Sequence, residues 1–311
     1  MKQESLSKWV GGVKEKPRAS GLSGESLLLD WKNKEVHVGR ENGEEVGIVR
    51  VGGSHVSLKY VGAGYETEWD SSYSKYRSVP MLKSLLQKAI RRMEAEVAVK
   101  AARELLILDV GAFLRRLPII CVEDVTPIQG LDVSIWLMAA HSKGFILRRG
   151  HVEYLLGFVE AMANFPRKTR KYEPAAAGTG EKPDPFHKCL GLRRAFGGMK
   201  GDMKMLSILE SHVEAGTMSM EQTNIVPVDL NSTPPLRKED WIPAAVDFHV
   251  CSIAKKLAAQ FDKEEGEVRK LMWNNSSSLN LRRKPKAEDP EWSELSPRHV
   301  EMANWWVMNV A

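Results

Sequence analysis

PMLKSLLQKAIRRMEAEVAV, residues 80–99, decides the fold class. Leu82, Leu85, Leu86, Ala89, Ile90, Met93 and Val97 recur at i, i+3, i+4 and i+7 over four turns, the period of a helix with one apolar face. Pro80 stands just inside the start, where a missing N–H costs nothing. Outward from this stretch, similar periods predict helices over about 110–124, 131–146, 150–164, 200–213, 242–262, 264–274 and 297–310. Upstream the pattern changes. Leu27–Trp31, Glu35–Val38, Val46–Val51 and His55–Tyr60 are short, β-branched, partly alternating runs. Asn42-Gly43 falls between two of them, a hairpin signal because both residues tolerate positive φ. The expectation is a mostly α fold: a multi-helix domain with a small antiparallel β meander at its N-terminal edge.

The chain then divides into five segments. Residues 1–25 form a tail, its 10–25 portion rich in Gly, Ser, Lys and Pro and read as flexible linker. Residues 26–79 hold the β element and 80–165 a helical subdomain. Residues 166–186, PRKTRKYEPAAAGTGEKPDPF, read as a basic loop without core-forming content, and 187–311 as a second helical subdomain. A polar stretch, 275–291, precedes the last helix.

Composition sets the outer bounds. The 311 residues are 43% hydrophobic and 27% charged, ordinary values that exclude global disorder. No run of about eighteen apolar residues exists to span a bilayer. The opening MKQESLSKWVGG has no apolar h-region, so no signal peptide is expected. Cys121, Cys189 and Cys251 are too scattered for a disulfide framework, which favours a reducing, intracellular compartment, nuclear in a eukaryote.

Lys and Arg number 45 against 40 Asp and Glu, too small an excess to make a polycation. The cations are bunched, however: Arg115–Arg116, Lys143 with Arg148–Arg149, Arg167, Lys168, Arg170 and Lys171, Arg193–Arg194 with Lys200, and Arg282–Arg283. Each bunch can be solvated surface; together they suit a face for nucleic-acid phosphates, DNA foremost.

Gln3-x-x-Leu6-x-x-Trp9-Val10 resembles the sliding-clamp-binding box of PCNA partners. One helical turn places Leu6, Trp9 and Val10 on a single face as a hydrophobic plug, and the Gln3 amide can bond at a pocket rim. Val10 stands where the box expects a second aromatic. The same residues also fit an ordinary amphipathic tail.

A longer resemblance covers residues 82–145, about a fifth of the chain. LKSLLQKAIRRMEAEVAVKAARELL, then FLRRLPIICVEDV, then LDVSIWLMAAHSKGF, is similar to the C-terminal helical collar of clamp-loader-related AAA+ proteins, the family of the Werner-interacting protein and its bacterial relatives. Gln87, Lys88, Arg91, Arg92, Arg115, Arg116, Leu117, Glu123 and Asp124 match that pattern. The resemblance implies helix packing and assembly into homo-oligomers, not catalysis. Pro118 departs from it and should kink its helix. The phosphate loop of that family's ATPase is absent: Gly178-Thr-Gly180-Glu-Lys182-Pro lacks the Gly-Lys-Ser/Thr step. No cofactor is expected.

Three motifs leave chemistry open. Gly197-Gly198-Met199-Lys200-Gly201-Asp202 reads as a phosphate-binding glycine turn, or as a sharp interhelical turn with Asp202 as N-cap. Asp247 and His249, with Asp202, are the catalytic candidates for a nuclease or hydrolase; two residues apart, Asp247 and His249 cannot share a helix face. TGEKP at 179–183 resembles a zinc-finger linker, but only His187 with Cys189 and His249 with Cys251 are close pairs, too sparse for a finger, and no metal is expected. Nine tryptophans, Trp305 and Trp306 adjacent, suit base stacking or a helical core. The function expected is a non-enzymatic nucleic-acid-binding accessory of DNA replication or repair. The alternatives are the hydrolase and a structural oligomerisation module.

Overall fold

The computed structural model describes residues 25–62, 67–69, 74–166, 184–246, 253–276 and 295–309. Four strands come first: β1 (Glu25–Asp30), β2 (Glu35–Val38), β3 (Glu44–Val51) and β4 (Ser54–Val61). Seven helices follow: α1 (Val79–Arg91), α2 (Ala95–Leu108), α3 (Val110–Ile120), α4 (Leu131–His141), α5 (Arg149–Asn164), α6 (Pro185–Ala195) and α7 (Lys200–Glu214). Three more lie toward the C-terminal end, α8 (Ile253–Gln260), α9 (Glu265–Ser276) and α10 (Pro297–Asn309). The fold is mostly helical with a small sheet at its N-terminal edge, as the periodicities require.

The sheet is mixed, not an antiparallel meander. Its order is β2-β1-β4-β3. β1 pairs antiparallel with β2 and parallel with β4, Leu27 opposite Leu58. Leu27, Leu28 and Leu29 are all buried, as befits a central strand covered on both faces. Asn42-Gly43 therefore joins strands at opposite edges and closes no hairpin. The β3–β4 hairpin turns instead on Gly52-Gly53, Gly52 at φ +59°.

The expected helix through Val97 is two helices. α1 starts with Ser78, whose side chain accepts from the Met81 amide, and carries Pro80 in its first turn. It ends at Arg91, and Met93 takes φ +61° before α2 begins. α3 runs through Pro118 and passes into a π-helical turn, Cys121–Val125. Pro118 leaves the Leu114 carbonyl without its helical donor, and the wider turn that follows is a common outcome of a disturbed ladder. The helix expected over 242–262 is observed as a short 3₁₀ turn, Pro243–Ala245, and α8; residues 247–252 lie outside the described set.

One continuous cluster of buried apolar residues extends from Leu27 to Val307. α4 is enclosed over its first ten residues, as a helix apolar on all faces must be. Between α7 and Leu236 the chain runs extended over the bundle. Glu221 exchanges backbone bonds with Pro127 and Gln129 at 2.8 and 2.9 Å, and the Val228 amide donates to Glu153 at 3.0 Å. Gly157 permits this crossing, because a Cβ there would meet the Val226 carbonyl and Pro227. Trp31, Tyr60, Trp136, Phe145 and Tyr154 fasten the sheet to the helices around buried His151.

Candidate functional site

α1 places Gln87 and Arg91 four residues apart on one face, and both side chains are buried despite their polarity. Such burial demands partners. The π-helical turn supplies them as consecutive carboxylates, Glu123 and Asp124. Arg91 pairs with Asp124 through Nε and stands 3.6 Å from Glu123. The Gln87 amide donates to Glu123 at 3.0 Å and to Asp124 at 2.8 Å. Its carbonyl oxygen accepts from Arg116 of α3, which also reaches Glu123 and Asp202, each at 3.5 Å. Burial and the Asp124 charge raise the Glu123 pKa against the pull of Arg91 and Arg116. Gln87, Arg91, Arg116, Glu123 and Asp124, five of the nine collar-like positions, thus form a single network.

The network borders a basic corner where α3 meets the α6–α7 turn. Arg115 is exposed and donates to the Phe196 carbonyl at 3.0 Å. Arg193 is buried and donates to the carbonyls of Gly197 and Arg115, both at 2.9 Å. Its Nε meets no acceptor, and no carboxylate pairs with it among the described residues. Burial, then the charge of Arg115, pushes its pKa down to about 10. Gly197 and Gly198 take φ +68° and +159° beside that guanidinium.

α7 opens directly after the turn. Its N-cap is Met199, not Asp202, and Met199 provides no side-chain acceptor for the leading amides. Lys200 at the first helical position is exposed. Cations therefore exceed carboxylates here, beside a helix start whose donors favour anions.

The other predicted residues divide clearly. Arg148 pairs with Glu68 at 2.8 Å; Arg149 pairs with Glu153 at 2.8 Å and Asp229 at 2.7 Å. That pair shares no partner with the α6–α7 corner and is neutralised where it stands. Arg194 pairs with Glu210. Asp202 is engaged by Arg116. Cys189 is fully buried, which pushes its thiol well above the usual range, the reverse of a metal-binding thiolate. Gln3, Leu6, Trp9, Val10, Arg167, Lys168, Arg170, Lys171, Asp247, His249, Arg282 and Arg283 lie outside the described residues.

Two polar localities escape the motif reading. His151 Nδ1 accepts the Arg148 amide at 2.9 Å, which leaves Nε2 to donate to the Tyr60 hydroxyl at 3.1 Å. Burial and the charge of Lys34 push its pKa down to about 3. The second locality is a cavity at the starts of α4 and α6, beside β2; the Asp-Pro pair at 184–185 is its one sequence signal, as a helix start. Comparison with protein-family models, with curated proteins and with solved structures finds no match to this chain.

Proposed function

We propose that this chain is a non-enzymatic accessory protein of DNA replication or repair that binds nucleic acid and docks to a sliding clamp through its N-terminal tail. The observation that carries the first part is the α3/α6–α7 corner. Arg115 and Lys200 are exposed there, Arg193 is buried without a carboxylate, and the amides of α7 lead into the same turn. Phosphate oxygens are the ligand such an arrangement suits. Clamp docking rests on Gln3, Leu6, Trp9 and Val10 alone. The collar resemblance gains support from the joining of its polar positions in one buried network, and assembly of several copies goes with it. A nuclear location in a eukaryote follows from the same reading. The hydrolase alternative loses Asp202 to Arg116, which leaves Asp247 and His249.

Fluorescence anisotropy with labelled single- and double-stranded DNA and RNA tests the reading. Affinity should fall linearly on a log–log plot against salt. Arg115→Glu with Lys200→Glu should weaken binding about tenfold or more and reduce the slope by about two. Absence of binding at low salt, or binding indifferent to salt, refutes the nucleic-acid partner. Leu6→Ala with Trp9→Ala should abolish capture by an immobilised clamp, since each central anchor contributes about 2 kcal/mol; equal capture refutes the tail's role.

A further inference from the structure

Glu35 of β2, Asp132 in the first turn of α4 and Asp184 at the start of α6 line one cavity of about 280 Å³, with Phe186, Met220 and Gln222 among its walls. Three carboxylates from three elements are an unusual lining. None of them has a lysine or arginine within salt-bridge distance among the described residues; Glu35 approaches only His37, at 3.5 Å. Asp184 is occupied in part as the N-cap of α6, accepting from the Phe186 amide at 2.8 Å. Asp132 is more exposed to cost. The residue is more than nine-tenths buried; its carboxylate accepts the adjacent Val133 amide at 2.8 Å and is also favoured by its own backbone amide, and no side-chain donor bonds it among the described residues. The α4 amino terminus offsets part of this charge, yet the carboxyl pKa stands at about 6, raised by burial, with Asp184 and Glu35 adding to the rise. At neutral pH the cavity therefore gathers negative charge that no salt bridge to a lysine or arginine neutralises among the described residues.

We propose that this cavity binds a small aliphatic amine, its ammonium group seated against Asp132 and its chain against Phe186 and Met220. Three features select that chemistry. No three acidic, cysteine or histidine side chains among the described residues are placed to hold a metal ion, so a cation bulkier than a bare metal fits better. Half-buried Met220 presents apolar surface beside the carboxylates, in a cavity that buried Phe186 also lines, and an alkyl chain would cover it. The volume lies below the roughly 300–1,000 Å³ of drug-sized sites, so the ligand is small.

The charged and titratable groups around Asp132 set the pH dependence. Lys34 lines the cavity, but its ammonium donates to the Trp31 carbonyl and lies 3.7 Å from the Trp31 ring centroid. His37 and Glu35 face the cavity from the strand side and Asp184 from α6; Tyr154 and Cys189 sense the Asp132 charge, and both have raised pKa values. The Asp132 carboxyl pKa stands at about 6. Amine binding should therefore be full above that pH and weaken below it, as the carboxylate takes up its proton.

Isothermal titration of the full chain with 1,5-diaminopentane tests the site. Saturable binding with a dissociation constant of about 1 mM or tighter is expected at neutral pH. Asp132→Asn should weaken it about tenfold or more, the equivalent of one lost charge interaction, and Glu35→Gln on the exposed strand end should weaken it in the same direction. The neutral isostere 1,5-pentanediol should not bind. No saturable heat with the amine, equal binding by both variants, or equal binding of the diol would each overturn the assignment.

Discussion

Replacing Asp124 with Asn removes one charge from the centre of the collar-like network and changes its shape very little. The side chains of Arg91 and Asp124 are only 4% and 3% exposed, so the guanidinium left behind cannot turn to water. Breaking a buried pair in this way costs about 3–5 kcal/mol, because an uncompensated charge remains in the interior. Glu123, 3.6 Å from Arg91, retains part of the attraction, which places the expected loss near the lower end, about 3 kcal/mol. For a chain of 311 residues that is a fall in melting temperature of roughly 5 °C. Urea denaturation followed by far-ultraviolet circular dichroism and by tryptophan fluorescence measures it. Arg91→Met combined with Asp124→Leu should recover most of the loss, since well-packed apolar replacements of a buried pair are often neutral. A loss for Asp124→Asn below about 1 kcal/mol is the behaviour of a solvated surface pair, and would refute the view that this network is sealed inside the fold.

Two further perturbations probe the sheet–helix junction and the extended segment. His151, whose pKa is about 3 in the folded chain against an ordinary 6.5, binds its proton more readily when unfolded. Its stabilising contribution is therefore complete above pH 6.5 and is lost progressively as the pH falls toward 3. His151→Gln should flatten the acid side of the stability–pH curve, and an unchanged slope would show that the imidazole is not held neutral. Gly157→Ala drives a methyl group into the Val226 carbonyl and Pro227, and should destabilise the chain by about 1–3 kcal/mol, the usual cost of overpacking. Proteolysis of the variant should cut first between about residues 217 and 235; cleavage unchanged in rate and position would separate Gly157 from that segment.

The helices were legible wherever one apolar face is maintained, as from Leu82 to Ile90. The break at Met93 was not, because no glycine or proline marks it and apolar residues recur on both sides. α6 was equally readable and was missed: Asp184-Pro185 starts it, Gly197-Gly198 ends it, and Phe186, Cys189 and Leu190 repeat at helical spacing. Its short length and the polar stretch before it obscured that signal. In the sheet, strand positions followed from composition, whereas partners did not. Asn-Gly specifies a tolerated backbone conformation and not which strands flank it. The unbroken Leu27-Leu28-Leu29 was the better guide, since a strand buried on both faces belongs in the middle of a sheet.

The arginine doublets show why the binding surface was only partly legible. Neighbouring residues on a helix point about 100° apart, so a doublet cannot present both cations to one ligand. Arg91 is sealed against Asp124; Arg116 turns to Gln87, Glu123 and Asp202, while Arg115 beside it stays exposed. Arg193 goes inward and Arg194 pairs with Glu210. Arg148 and Arg149 are consumed by carboxylates distant in sequence, Glu68 and Asp229. Counting basic residues along the chain therefore overstates the charge available to a phosphate backbone. From the described residues of the corner, Arg115 and Lys200 are the exposed cations that lead, and they account for a salt slope of only about −2 on duplex DNA. A measured slope much steeper than this assigns the excess to Arg167, Lys168, Arg170 and Lys171 or to Arg282 and Arg283. Charge reversal of one group at a time then distinguishes them by which variant brings the slope back toward that of the corner alone.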